Sequence, residues 1–145
     1  MRVKRGLQLR WDPVRKRQVP VIPEKDVVEE IISRLWLQAK IRMVIINQPV
    51  GGKTPPNESG IPDLVGELPK RPFVVMCSRD ACASTTIELP PTPLYIEAKR
   101  LGGARRRAQI RFIEEKKLAG CAAFFAESWL DVIRELYSFG IKLSA

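Results

Sequence analysis

The sequence predicts one α/β domain, with a mixed β-sheet covered by helices. Three observations lead there. Segments with apolar residues at three-and-four spacing alternate with short runs rich in β-formers. Their order is helix, two to four strands, helix, strand, helix, which suits a sheet with helices packed on it. The length of 145 residues, at 45% hydrophobic and 28% charged, suits a single globular core. No internal repeat is visible.

Residues 1–22 read as a basic arm, broken by Trp11, Pro13 and Pro20, and either extended or unfolded until it meets a partner. The domain proper spans 23–145. A helix is expected from about Pro23 to Lys40, with proline suited to its first turn. Its buried stripe is Val27, Val28, Ile31, Ile32, Leu35, Trp36 and Ala39. Met43 to Ile46 reads as a strand, and Val50 to Gly60 as a loop. Pro62 places Asp63 at a strand start, continued by Leu64 and Val65. Residues 67–92 are harder to read, although Phe73 to Cys77 has strand character. Leu94 to Arg100 is a strand running into a turn at Gly102-Gly103. A helix follows over about Ala104 to Ala119, stopped by Gly120. Cys121 to Ala126 is an apolar run suited to a buried strand. Ser128, with Asp131 three residues on, is placed to cap a last helix reaching about Phe139. That helix would bury Trp129, Val132, Ile133, Leu136 and Tyr137.

Composition excludes several classes. No apolar run approaches the length of a membrane span. The charged N-terminus has no apolar signal core, so cytoplasmic residence is expected. Three cysteines and no histidine argue against a disulfide framework and a typical zinc site, and remove the usual general base. Catalysis would have to run on carboxylates, lysine or a hard metal. The net charge is +9 and concentrated. Residues 1–22 carry seven basic side chains against Asp12, and residues 99–117 carry eight against Glu114 and Glu115. Two such blocks point to a polyanion, most often nucleic acid; a solvated surface is the plainer reading.

Five positions carry possible chemistry. Glu97 and Lys99 share one face of a strand, with Leu94, Ile96 and Ala98 on the other. They fit a cross-strand ion pair, or a metal carboxylate beside a phosphate-handling lysine. Asp63 is a turn acid or a ligand. Glu24 lies within about 40° of Val28, Ile31 and Leu35 on the helical wheel, so it faces the core edge or supports the helix dipole. Gln109 falls near Arg105, Phe112 and Ile113, at a core edge. Gly52-Lys53-Thr54 is not a P-loop, because Asn47 stands where the first glycine belongs. No nucleotide cofactor is expected; Lys53 is a loop residue that can touch phosphate.

In order, Glu24-x-x-Val27 opening a helix, Gly60-Ile61-Pro62-Asp63-Leu64, Ile96-Glu97-Ala98-Lys99 before Gly102-Gly103, Gln109, and Gly120 before the Cys121–Ala126 strand resemble the VRR-NUC domain. That domain is a branch of the PD-(D/E)xK, restriction-endonuclease-like superfamily, and the resemblance covers about residues 23 to 135. It looks like a stand-alone version, of the kind also found in phages and prophages. The resemblance implies a Mg²⁺-dependent DNA endonuclease, with Mn²⁺ able to substitute. Asp63, Glu97 and the Ala98 carbonyl would hold the metal, and Glu24 would complete or orient its shell. Lys99 would position water and offset charge, and Gln109 would orient water, substrate or the lysine. A hard cation prefers such oxygen ligands and acidifies its water, so histidine is not needed. Lys53, Arg100, Arg105, Arg106, Arg107 and Arg111 would contact the DNA backbone. The resemblance further implies a homodimer acting on branched DNA such as a four-way junction. Nicking or flap cleavage, or a catalytically silent DNA-binding or assembly protein, are the alternatives. The interval from Asp63 to Glu97 is long for the family's hairpin, so 67–92 must hold an insertion or an extra strand.

Overall fold

The computed structural model describes residues 9–12, 16–20, 22–46, 62–76 and 84–145. Within them lie a central four-stranded sheet, two separate hairpins and three helices. The central sheet has the order β3 (Val44–Ile45), β4 (Leu64–Leu68), β7 (Thr92–Ala98), β8 (Ala122–Ala126). It is mixed: β3 with β4 and β4 with β7 are antiparallel, whereas β7 and β8 run parallel. The parallel pair requires a crossover, and α2 (Arg107–Leu118) supplies it. Among the described residues no helix is long and apolar enough to cross a membrane.

Alternation along β7 divides the two faces. Leu94, Ile96 and Ala98 pack with Leu64, Leu68, Ala122, Phe124 and Ala126 into the main core. The helices α1 (Glu24–Ala39) and α3 (Trp129–Tyr137) cover that face with Val27, Ile31, Leu35, Trp129, Val132 and Leu136. Full burial of Ile31 or Leu35 contributes about 1.5–3 kcal/mol each. The opposite face carries Tyr95 and Glu97, and α2 lies over it across β7 and β8.

Gly66 on β4 permits a close approach. A Cβ there would run into the Met43 Sδ and stand 2.9 Å from the Arg42 carbonyl. Lys40 ends α1 in the left-handed region, φ 56°, and donates its N–H to the Trp36 carbonyl at 3.1 Å.

Several expectations need correction. Trp36 is 44% exposed and lies beneath Lys40 and Arg42 rather than in the core. Tyr137 is exposed as well, since α3 ends there and the chain turns at Gly140, φ 81°. The Ser128 side chain makes no cap hydrogen bond; Asp131 instead accepts the Glu127 N–H at 2.8 Å. Outside these corrections, the arm holds two extended segments paired antiparallel, β1 (Leu9–Asp12) with β2 (Arg17–Pro20).

The long interval before Glu97 holds a second hairpin, β5 (Arg71–Val75) with β6 (Thr85–Leu89), outside the central sheet. Arg71 ties it down. The residue is 5% exposed, and its guanidinium donates to the carbonyls of Pro69, Pro90 and Phe139 and to the Thr92 hydroxyl. Burial pushes that guanidinium below its ordinary pKa.

Candidate active site

Asp63 stands immediately before β4, and the register Leu64↔Ile96 brings it beside Glu97. The Asp63 N–H donates to Glu97 Oε2 at 3.1 Å. Two residues on, just past the end of β7, Lys99 places its ammonium 2.8 Å from Glu97 Oε1. From the first turn of α2, Gln109 Nε2 donates to that same oxygen. Gln109 Oε1 accepts the Arg106 N–H at 3.0 Å, one half of a capping box that fixes the amide. Glu97, Lys99 and Gln109 are all at least nine-tenths buried. Four of the five residues singled out in the sequence are therefore in direct contact.

Glu24 joins them through charge. It opens α1, is partly buried, and its carboxylate raises the pKa of both Asp63 and Glu97. Asp63 is pushed up to about 7. Burial is the main cause, followed by the charges of Glu97 and Glu24, while Lys99 and a hydrogen bond from the Ala98 backbone pull it down. Burial also raises Glu97, against the hydrogen bond and charge of Lys99 and the Asp63 N–H.

Asp63 Oδ2 is buried and has no hydrogen-bond partner. Such an oxygen is costly to leave alone. Beside it, the Lys99 N–H donates to the Ala126 carbonyl at 2.8 Å. Crowded carboxylates with an unpartnered oxygen are the donor set a hard divalent cation prefers. Among the described residues no three His, Cys, Asp or Glu side chains are gathered closely enough to hold a metal. The acids form a contacting pair, Asp63 and Glu97, with Glu24 acting through its field.

The expected phosphate contacts divide. Arg100, Arg106, Arg107 and Arg111 are exposed on and beside α2. Arg105 is engaged: its guanidinium lies 4.5 Å above the Phe125 ring and 3.8 Å from Glu127. Lys53 lies outside the described residues, as do Cys77 and Cys82. Glu127 was not singled out by sequence reasoning. It ends β8 beside the end of β7, and its carboxylate accepts the Gly102 N–H at 3.3 Å as well as facing Arg105. The available signal was an acid directly after the apolar run of a strand parallel to the one carrying Glu97.

No protein-family profile, curated protein or solved structure matches the chain.

Proposed function

We propose that this chain is a metal-dependent DNA endonuclease with a restriction-endonuclease-like fold, of the VRR-NUC type, hydrolysing phosphodiester bonds in branched DNA. One observation carries the reading: Asp63, Glu97 and Lys99 converge where β4 and β7 meet, with Asp63 Oδ2 buried and unpartnered. Asp63, Glu97 and the Ala98 carbonyl would hold Mg²⁺ or Mn²⁺, with Glu24 adding negative charge behind them. When bound, the cation acidifies water and neutralises charge on phosphoryl oxygens. Gln109 keeps Glu97 oriented. Lys99, whose ammonium lies against Glu97, would hold the attacking water and offset the charge that grows in the transition state. Arg100, Arg106, Arg107 and Arg111 bind backbone rather than bases, so affinity depends on salt and little on sequence. A chain of this size grips two duplex arms best as a homodimer with paired sites.

A catalytically silent DNA-binding protein is the second reading. Lys99 and Gln109 already occupy Glu97 Oε1, which favours it. The two are separated by incubating end-labelled four-way junction, flap, duplex and single-stranded DNA with Mg²⁺, Mn²⁺ or EDTA. Metal-dependent cuts, paired symmetrically in the junction, are expected. Binding without cutting on every substrate would select the silent reading.

A further inference from the structure

The sheet face that carries Glu97 carries Tyr95 one alternation earlier, about 7 Å along β7. α2 keeps the same register. Gln109 bonds Glu97, and Phe112, one turn on, meets the Tyr95 ring edge-on, with centroids 5.4 Å apart and planes at 78°. One turn further, Lys116 holds its ammonium 5.2 Å from the Tyr95 ring centre and 5.3 Å from that of Phe112. Both rings attract the cation, so an otherwise freely rotating side chain is confined. Among the described residues no carboxylate pairs with Lys116.

Lys116 is itself partly exposed. Its neighbour Lys117 lines a hollow with Phe124, Phe125 and Glu127 along β8. Tyr95, which lies under Lys116, pairs across the sheet with Val65 of β4. There Val44 is 59% exposed, Val65 is half-buried and Glu67 is exposed, so the sheet face is open to solvent. Glu67, an acid on that floor, lies beyond Tyr95, opposite Pro93.

We infer that Lys116 is a substrate-positioning residue of the proposed nuclease, its ammonium contacting a backbone phosphate close along the strand from the one held at Asp63, Glu97 and Lys99. This rests on the nuclease reading above. A duplex strand presents a phosphate every ~3.4 Å of axis, so the offset of about 7 Å along β7 suits a near neighbour. The aromatic pair serves as a rigid seat for that charge, and the contact sets the position of the strand without reading its bases.

The test compares wild type, Lys116→Met, Phe112→Leu and, as a charge-matched control, Lys142→Met. Binding of labelled junction DNA is measured in EDTA across a salt series, and cleavage in Mg²⁺. For Lys116→Met, KM should rise about fivefold to tenfold with kcat within twofold. The slope of log Kd against log salt should fall by about 0.9, the value for one phosphate contact. Lys142→Met should keep the wild-type slope. Phe112→Leu, which keeps the charge but loosens its seat, should raise KM by a smaller factor with the slope unchanged. Lys116 lies in the last turn of α2 and also complements its dipole, but that role moves Tm and not the salt slope. A wild-type slope in Lys116→Met, or a loss equal to that of Lys142→Met, overturns the inference even where the wild type cuts DNA. If the wild type neither binds nor cuts DNA, the nuclease reading fails and this inference goes with it.

Discussion

Replacing Asp63 by Asn removes a charge from a position where burial, Glu97 and Glu24 all oppose it, while keeping an oxygen for the Ala98 backbone. The carboxyl moves from its ordinary 3.8 to about 7 on folding. At about 1.36 kcal/mol per pH unit this is at most about 4 kcal/mol. Solvent reaches one side of the group, so roughly half, about 2 kcal/mol, is the expected gain. The sign follows from linkage. Below pH 3.8 the carboxyl is protonated whether folded or not, and Asp63 costs nothing. As pH rises the unfolded chain ionises first, and wild-type stability falls until the folded carboxyl also ionises near 7. Asp63→Asn escapes that loss. In EDTA at pH 8 its Tm should exceed that of wild type by about 4–8 °C, taking about 2–4 °C per kcal/mol for a chain of this size. The gap should close toward pH 4. A divalent ion at ten times its Kd should stabilise only the wild type, by about 1.4 kcal/mol, and narrow the gap. Thermal unfolding followed by circular dichroism, with and without Mg²⁺, reads all of this. A lower Tm for Asp63→Asn in EDTA at pH 8 would mean that the carboxylate is well satisfied in the folded protein, and the reasoning would be wrong.

Lys99→Met should abolish cleavage and cost about 2–3 kcal/mol at pH 8, because Glu97 loses the cation in contact with it; the cost should grow once pH rises through the folded Glu97 pKa, which burial holds above the ordinary 4.5, and fade below it, as urea titrations at several pH values would show. Gly66→Ala should destabilise by about 2 kcal/mol, since the Arg42 carbonyl at 2.9 Å cannot swing aside like a side chain, and a urea midpoint close to wild type would refute it. Arg71→Met should cost about 2–3 kcal/mol by leaving the Pro69, Pro90 and Phe139 carbonyls without their donor, with hydrogen exchange rising first in β5 and β6. Removing residues 1–21 should weaken DNA binding and flatten its salt dependence, whereas an unchanged slope would mean that the arm touches no phosphate.

Much of the central sheet was legible because burial imposes periodicity. Val27, Ile31 and Leu35 mark one stripe of α1, and the Cys121–Ala126 run marks β8. Trp36 belonged to the stripe by its four-residue spacing from Ile32, but it stands about 100° round the helix from buried Leu35, and two cations take the place of a core. The β5–β6 hairpin was illegible for a related reason. Val74, Val75 and Ile87 are exposed, so no buried face enforces alternation, and a buried arginine anchors the hairpin instead. Glu97, Lys99 and Gln109 could be named from the sequence, but their shared oxygen could not, since it depends on where α2 sits over β7. Lys116 read as one charge in a block until the rings beneath it were placed.

The most direct test is the single-turnover cleavage rate of a labelled four-way junction across a Mg²⁺ titration, for wild type, Asp63→Asn and Lys99→Met. Wild type should cut with a rate that saturates in Mg²⁺ and vanishes in EDTA. Both variants should bind the junction and fall by at least about a hundredfold in rate, the scale expected when one electrostatic contributor is removed. Cleavage that persists in EDTA, or that either variant retains in full, would contradict the assignment of Asp63, Glu97 and Lys99 as the reacting centre.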